Sequence, residues 1–273
     1  MKAKPAHSLL RYLLLVLLTG TLVLPLVWAA ATALMPLGEV FTDKPHFLPD
    51  NPRWDNFERA WRHLPMARFM LNSMLITVPS VIGAVLTSAM AGYAFARYRW
   101  TAKPLLFALL VASLLVPAQL LLVPHFLMVV QLGWIDTYKP LIVPAWLGGG
   151  AFNVLLFRQV FRAMPTDTED AARLEGAGEW MTFSRIALPA ARPAVAVAAL
   201  LSFVYHWHDF LRPLIYLSDF DTYPVSLGLR MYQAVSGSWM NLVMAASLIA
   251  IAPVLVIFLW LQWYLAHNDA IHP

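Results

Sequence analysis

The chain has 273 residues, 60% hydrophobic and 12% charged, with a formal net charge of +4 and no cysteine. A soluble domain carries about 25% charged residues, so this chain cannot present water with a polar surface of ordinary size. A soluble globular enzyme, a disordered tail, a disulfide scaffold and a cysteine-ligated metal module are excluded. The excess positive charge does not indicate nucleic acid, because the basic residues flank apolar runs rather than gather in one patch.

A bilayer core of about 30 Å needs about 20 apolar residues per helix. Stretches without charge run over 12–38, 69–96, 104–135, 140–157, 193–208 and 231–268. They predict six helices near 12–34, 71–95, 104–128, 140–160, 193–217 and 242–265. The expected class is therefore an all-α polytopic membrane protein, with 1–273 as a single membrane domain. The segment 12–34 has a basic start and small residues from Ala29 to Ala33, but its apolar run exceeds the 7–15 residues of a signal core. It is read as helix one.

The outer loop 35–68 is rich in proline and aromatics (Pro36, Pro45, Phe47, Pro49, Pro52, Trp54). Phe57, Ala60, Trp61 and Leu64 then recur at helical spacing. An amphipathic helix lying in the outer interface is expected, with tryptophan and arginine as anchors; a docking surface for an external partner is the alternative.

Orientation follows from Lys and Arg in the short loops. With the N-terminus inside, inner segments hold eleven basic residues and outer segments seven. Five of those seven lie in the first outer loop, where five acidic residues balance them. N-in, C-in is the better topology.

Six positions put proline inside or beside spans: Pro25, Pro79, Pro117, Pro124, Pro144 and Pro253. Proline removes a backbone donor and bends helices. Pro117, Pro124 and Gly148–Gly150 are the candidate hinges, with ordinary bending as the plainer account.

The inner loop 158–192 is charged but balanced, which suits a protein neighbour better than a lipid surface. Thr166 and Glu169 have capping-box spacing just after Pro165, predicting a short helix through Leu174. Gly176 and Gly178 break it, and a second helical stretch follows from Glu179 to Ala187.

In that loop Asp170-Ala171-Ala172, then Gly176, Ile186 and Leu188-Pro189 follow the spacing E-A-A-x3-G-x9-I-x-L-P, with Asp170 in place of the leading glutamate and Glu175 as the next acid. This resembles the signature of ABC importer permeases. Further stretches are similar to carbohydrate permeases of the maltose type: Phe69 to Ser73, Pro117-Ala118-Gln119 with Val123-Pro124, Leu132 to Tyr138, Trp207 to Phe210, and Pro213 to Leu217. The resemblance covers about 66–265 and implies a type I ABC importer permease (MetI-like) fold, with 69–265 as the core permease domain. It implies half of a carbohydrate path in a bacterial cytoplasmic (inner) membrane. It also implies a second permease subunit as heterodimer partner, two ATP-hydrolysing subunits and an extracellular solute-binding protein. Asp170, Ala171, Ala172, Glu175, Gly176, Ile186, Leu188 and Pro189 would couple to the ATPase subunits.

Two features of the residues agree. No G-x-x-x-x-G-K-[ST] occurs, so the chain cannot cradle nucleotide phosphates itself. Six helices without an internal repeat are few for a complete transporter. No cofactor, metal or nucleic acid is expected.

Candidates for a translocation path are Asn72, Gln119, Asn153, Trp207 and Asp209, with Tyr205 and Asn241 as further polar or aromatic groups; helix packing would explain each equally well. His206, His208, Asp209 and Arg212 form the densest polar group in a span. Asp209 and Arg212 can pair at i, i+3, whereas histidines two residues apart face different sides of a helix. Competing functions are an importer permease for a non-sugar solute such as glycerol phosphate or a peptide, and an intramembrane enzyme using His206, His208 and Asp209.

Overall fold

A computed structural model describes residues 5–40, 49, 51–235 and 239–268; Pro45 and Phe47 of the outer loop lie outside them. Every regular element among the described residues is helical. The chain divides into two compact units, Met1–Ala67 with Gly228–Ala252, and Arg68–Leu227 with Pro253–Pro273.

In the first unit, α1 (Pro5–Leu34) carries Pro25 within it, and its side chains from Arg11 to Trp28 are all exposed. An apolar helix exposed all round has lipid or another chain as its neighbour. The expected helix α2 (Asp55–His63) is present, and it turns a polar residue into the protein. Asn56 and Ala60 are buried, while Trp61 is 42% exposed. The Asn56 amide donates to the carbonyls of Ala33 at 2.8 Å and Met35 at 3.0 Å. Those carbonyls end α1 and have no partner in the helix, so a polar residue turns inward where apolar periodicity places Phe57 and Trp61. Asn241 donates to the same Met35 carbonyl at 3.1 Å.

The second unit is built on α3 (Met66–Arg97), which enters it at Arg68. The predicted third span, 104–128, is not one helix. It is α4 (Lys103–Ser113) and α5 (Leu122–Gln131), joined through a 3-10 turn and bent by 101°. Pro117 sits at the break with extended backbone, φ −60° and ψ 128°, and cannot donate the bond that would carry the helix through. The predicted fifth span, 193–217, is also interrupted. It comprises α8 (Arg192–Trp207) and α9 (Leu211–Tyr216), after α6 (Ala151–Ala163) and the loop helix α7 (Asp167–Leu174). The break falls at His208–Phe210, and Asp209 within it accepts from the Arg212 backbone at 3.4 Å. Two helices close the chain, α10 (Val225–Val235) and α11 (Met240–Asn268). Among the described residues, four segments are long and apolar enough to cross a membrane, Arg11–Leu34, Met66–Arg97, Lys139–Ala163 and Met240–His267. Counting Lys103–Ser113 with Ala118–Gln131, and Glu179–Ala190 with Arg192–Trp207 at an 80° bend, each as one span brings the number to six.

The contacts gather different loops at the two ends of α3. At the end assigned to the outside, Arg68 pairs with Asp221, and Asn72 donates to the carbonyls of Asp221 and Tyr223 at 2.8 and 3.0 Å. At the opposite end of α3, Arg97 meets the loop after α6. The core between these ends combines Val85, Ala89 and Tyr93 of α3 with Phe157 and Phe161 of α6 and Ala191, Ala194 and Ala198 leading into α8. Small residues let the backbones approach: a Cβ on Gly92 would lie 2.6 Å from that of Phe157.

Gly149 is the tightest position. Its φ is +64°, and a Cβ there would overlap the Ala84 carbonyl. Gly149→Ala is expected to cost about 2–4 kcal/mol, from left-handed strain and overpacking against backbone. Gly150 has φ +88° and open space around it, so Gly150→Ala should cost only about 1–2 kcal/mol. Thermal unfolding of the two variants checks the difference, and equal losses would mean that Gly149 is not a contact point.

Candidate functional site

The loop after α6 contains the expected helix, turn and helix. α7 is followed by Gly176 at φ +90° and by a second helical run, Glu179–Ala190, with a π-turn at Phe183–Ala187. The capping box is not formed: Thr166 makes no side-chain cap hydrogen bond. Glu169 turns into the protein instead and is 2% exposed. It accepts from Arg97 Nη2 at 2.7 Å and Nε at 3.1 Å, and from the Tyr93 hydroxyl at 2.9 Å. Burial decides the outcome, since an ionised carboxylate taken from water demands a cation and further donors, and α3 supplies all of them.

A second layer surrounds this pair. Arg173 bonds Asp170 at 2.9 Å and Glu179 at 3.2 Å, tying α7 to the next helical run. The Tyr98 hydroxyl donates to Glu179 at 2.6 Å. Burial, then that hydrogen bond, pushes the Tyr98 phenol up to about 12. The same bond and the one from Arg173 hold the Glu179 carboxyl below its ordinary value.

The eight residues of the signature separate into two groups. Asp170, Ala171, Glu175 and Gly176 are exposed, and Ala172 is half-buried. Ile186, Leu188 and Pro189 are half-buried, and Leu188 packs against the core. The first group forms a tip, and the second anchors it to the bundle. The tip also carries three apolar side chains that sequence reasoning passed over: Leu174, 91% exposed, Trp180, 66%, and Met181, 41%. These three apolar residues among the charged ones of a balanced loop were the available signal. The partners of Glu169 had no signal beyond Arg173 at i+4, because Arg97 and Tyr93 lie more than seventy residues away.

Within the membrane part, a cavity of about 520 Å³ is bounded by residues including Asn153, Ser202, Tyr205, His206 and Arg212. Of the five path candidates, only Asn153 borders it, donating to Ser202 and to the Gly149 carbonyl at 3.0 Å each. The Asn72 amide is engaged with the 221–223 backbone, and Gln119 is exposed on the turn at the α4–α5 bend. Trp207 is buried and stacked on Phe203 at 5.3 Å. Asp209 pairs at 2.5 Å with Arg212, which does border the cavity. The Arg212 guanidinium sits 5.1 Å from the Tyr205 ring centre, and its Nη2 is buried without a partner among the described residues. His208 is exposed and bonds the Val204 carbonyl at 3.1 Å. With Asp209 committed to Arg212, no histidine–carboxylate pair forms here.

Comparison with known proteins gives the family. Residues 83–270 match the profile of the binding-protein-dependent transport system inner membrane component. The chain is similar to the diacetylchitobiose uptake system permease protein NgcG of Streptomyces coelicolor, 29% identical over 90% of this chain and 82% of that one. It is 32% identical to the arabinooligosaccharides transport system permease protein AraQ of Halalkalibacterium halodurans, over 71% and 68%. The sn-glycerol-3-phosphate transport system permease protein UgpE of Yersinia pestis is 28% identical over 92% of each chain. The fold matches a chain of a bacterial ABC transporter involved in the import of the acidic polysaccharide alginate, with TM-score 0.83, 18% identity, and 97% and 99% coverage. This is the type I importer permease (MetI-like) fold. The protein belongs to the inner-membrane components of binding-protein-dependent transport systems: it is an ABC importer permease, a transport subunit that works with a binding protein rather than an enzyme.

Proposed function

We propose that this permease forms half of the path for a carbohydrate in an ATP-driven importer of a bacterial cytoplasmic membrane, N- and C-termini inside. In this reading 1–273 is one membrane domain with 69–265 as its permease core. A second permease completes the path as a heterodimer, an extracellular binding protein delivers the sugar, and two ATP-hydrolysing subunits receive the tip of the 158–192 loop. The single observation that carries the coupling role is the loop's construction, an exposed tip on a base locked by a buried ion pair. A lever must be stiff at its root and accessible at its end. Asp170 and Glu175 then offer carboxylates for charge-assisted bonds, Ala171 and Ala172 allow close approach, and Leu174 enters an apolar recess of the partner.

The chain has no cysteine, so Leu174→Cys introduces a lone thiol. Crosslinking in intact cells is expected to capture an ATPase subunit. Capture of none would overturn the coupling role.

For the solute, the 520 Å³ cavity is the candidate contact region. Its Asn153, Ser202 and Tyr205 are hydrogen-bonding and aromatic groups suited to sugar hydroxyls and ring faces. Glycerol phosphate, the solute in the name of UgpE, is the second reading, and the unpartnered Arg212 Nη2 favours it. Asp209 neutralises that guanidinium, which favours a neutral solute over a phosphate. Tyr205→Ala removes a ring that is 60% exposed, at little cost to folding. It is expected to lower uptake about fivefold, the worth of about 1 kcal/mol of aromatic contact, with assembly unchanged. Radiolabelled sugar uptake measures this, and a wild-type rate would remove the cavity from the path.

A further inference from the structure

The inner ends of α4 and α6 carry a group of cations that neither the path nor the coupling loop uses. Leu155, Arg158, Gln159, Arg162 and Ala163 bound a concavity of about 540 Å³. Arg99 and Lys103 stand near it, and the charges acting on Lys103 are those of Arg158, Arg162 and Arg99, all of like sign. No ion pair links any of the four to a carboxylate among the described residues. A cluster of four unneutralised cations is repulsive by itself and draws an anion.

The geometry is more than a scatter of basic residues at a membrane boundary. Arg158 does not extend freely to water. Its guanidinium lies over the Phe107 ring at 4.1 Å, and its Nε is buried with no acceptor among the described residues. Lys103 is held by the Tyr98 carbonyl at 2.7 Å and lies 5.4 Å from the Trp100 ring centre. Amphipathic aromatics mark the interfacial level. From that level α4 presents a run of exposed leucines, Leu105 at 64%, Leu106 at 47% and Leu109 at 57%. Cations above an uncovered apolar strip match a ligand with an anionic head and hydrocarbon tails, and basic pockets between helices on the cytoplasmic side take such head groups.

We infer that this concavity binds the head group of an anionic phospholipid of the inner leaflet, with Arg158 and Arg162 on the phosphodiester and the acyl chains along α4. Arginine suits the role because its planar fork can pair two phosphate oxygens. The inference is independent of which solute is carried.

The test uses the whole transporter, purified with its partner subunits from nanodiscs of equal phosphatidylglycerol and phosphatidylcholine, and native mass spectrometry of the lipid retained. Wild type is expected to keep phosphatidylglycerol in preference to phosphatidylcholine. Arg158→Gln with Arg162→Gln should lose about tenfold or more of that preference, at roughly one decade or less per cation, while lysine at both positions keeps most of it. Should the double glutamine variant fail to assemble, Arg99→Gln with Arg162→Gln, both at exposed positions, reads the same loss. Equal retention of the two lipids by wild type would overturn the inference. So would an unchanged preference in the glutamine variants, the absence of any bound lipid, or displacement by millimolar inorganic phosphate alone.

Discussion

Glu169→Ala is expected to destabilise the inner end of the bundle by about 3–5 kcal/mol, because it strands a buried guanidinium. Arg97 is only 9% exposed at its side chain and Glu169 3%, so neither charge can return to water without moving the loop. Arg97→Ala should cost a similar amount for the mirrored reason. Replacing both with methionine removes the charges together and should restore most of the melting temperature, since well-packed apolar substitutes for a buried pair are often neutral or better. Uptake is the second readout. The pair fixes the angle at which α7 lies against α3, through five directed bonds including those to Tyr93 and the Met164 carbonyl. The double methionine variant is therefore expected to melt like wild type and transport poorly. If it transports at the wild-type rate, the pair contributes stability alone. If Glu169→Ala melts within a degree or two of wild type, the carboxylate is not buried as described.

Gly176→Leu is expected to abolish uptake while leaving the protein in the membrane. Inside this chain a Cβ at this exposed position meets nothing within 4 Å, and the φ of +90° is what opposes it. That strain is about 1–2 kcal/mol, too little to unfold a domain of ordinary stability. The loss would then come from outside the chain, where the new side chain stands beside the exposed Asp170–Glu175 face proposed above as the ATPase contact. Two controls separate strain from bulk. Gly176→Ala carries the same strain with little protrusion and should keep much of the activity. Gly178→Leu adds the bulk two residues away, at an ordinary φ of −70° and in open space, and reports how far the contact extends. Equal loss in Gly176→Ala and Gly176→Leu would assign the effect to backbone strain, and wild-type transport by Gly176→Leu would show that this face does not dock.

The spacing around Gly176 was readable because a glycine with positive φ, alanines and acids at set intervals belong to one short local segment. The path candidates were less legible. Asn72, Trp207 and Asn153 are alike as residues in apolar runs, yet Asn72 holds the 221–223 backbone, Trp207 packs on Phe203, and Asn153 alone borders the cavity. Which side of a helix faces a void depends on its neighbours, and near-uniform apolar spans have no periodicity that points to one side.

Composition and hydropathy alone determined that the chain is a membrane-spanning helical protein, since too few charges exist to cover it and each apolar run must satisfy its own backbone within a helix. The loop signature alone determined the kind of transporter. Only the tertiary structure decided that spans three and five are broken and that Asn56 faces inward. It also turned Glu169 from an expected helix cap into the buried root of the 158–192 loop. Each of these depends on a group far away in the chain or on a break in the backbone, and the energy of burying a polar atom is set by the partner it finds.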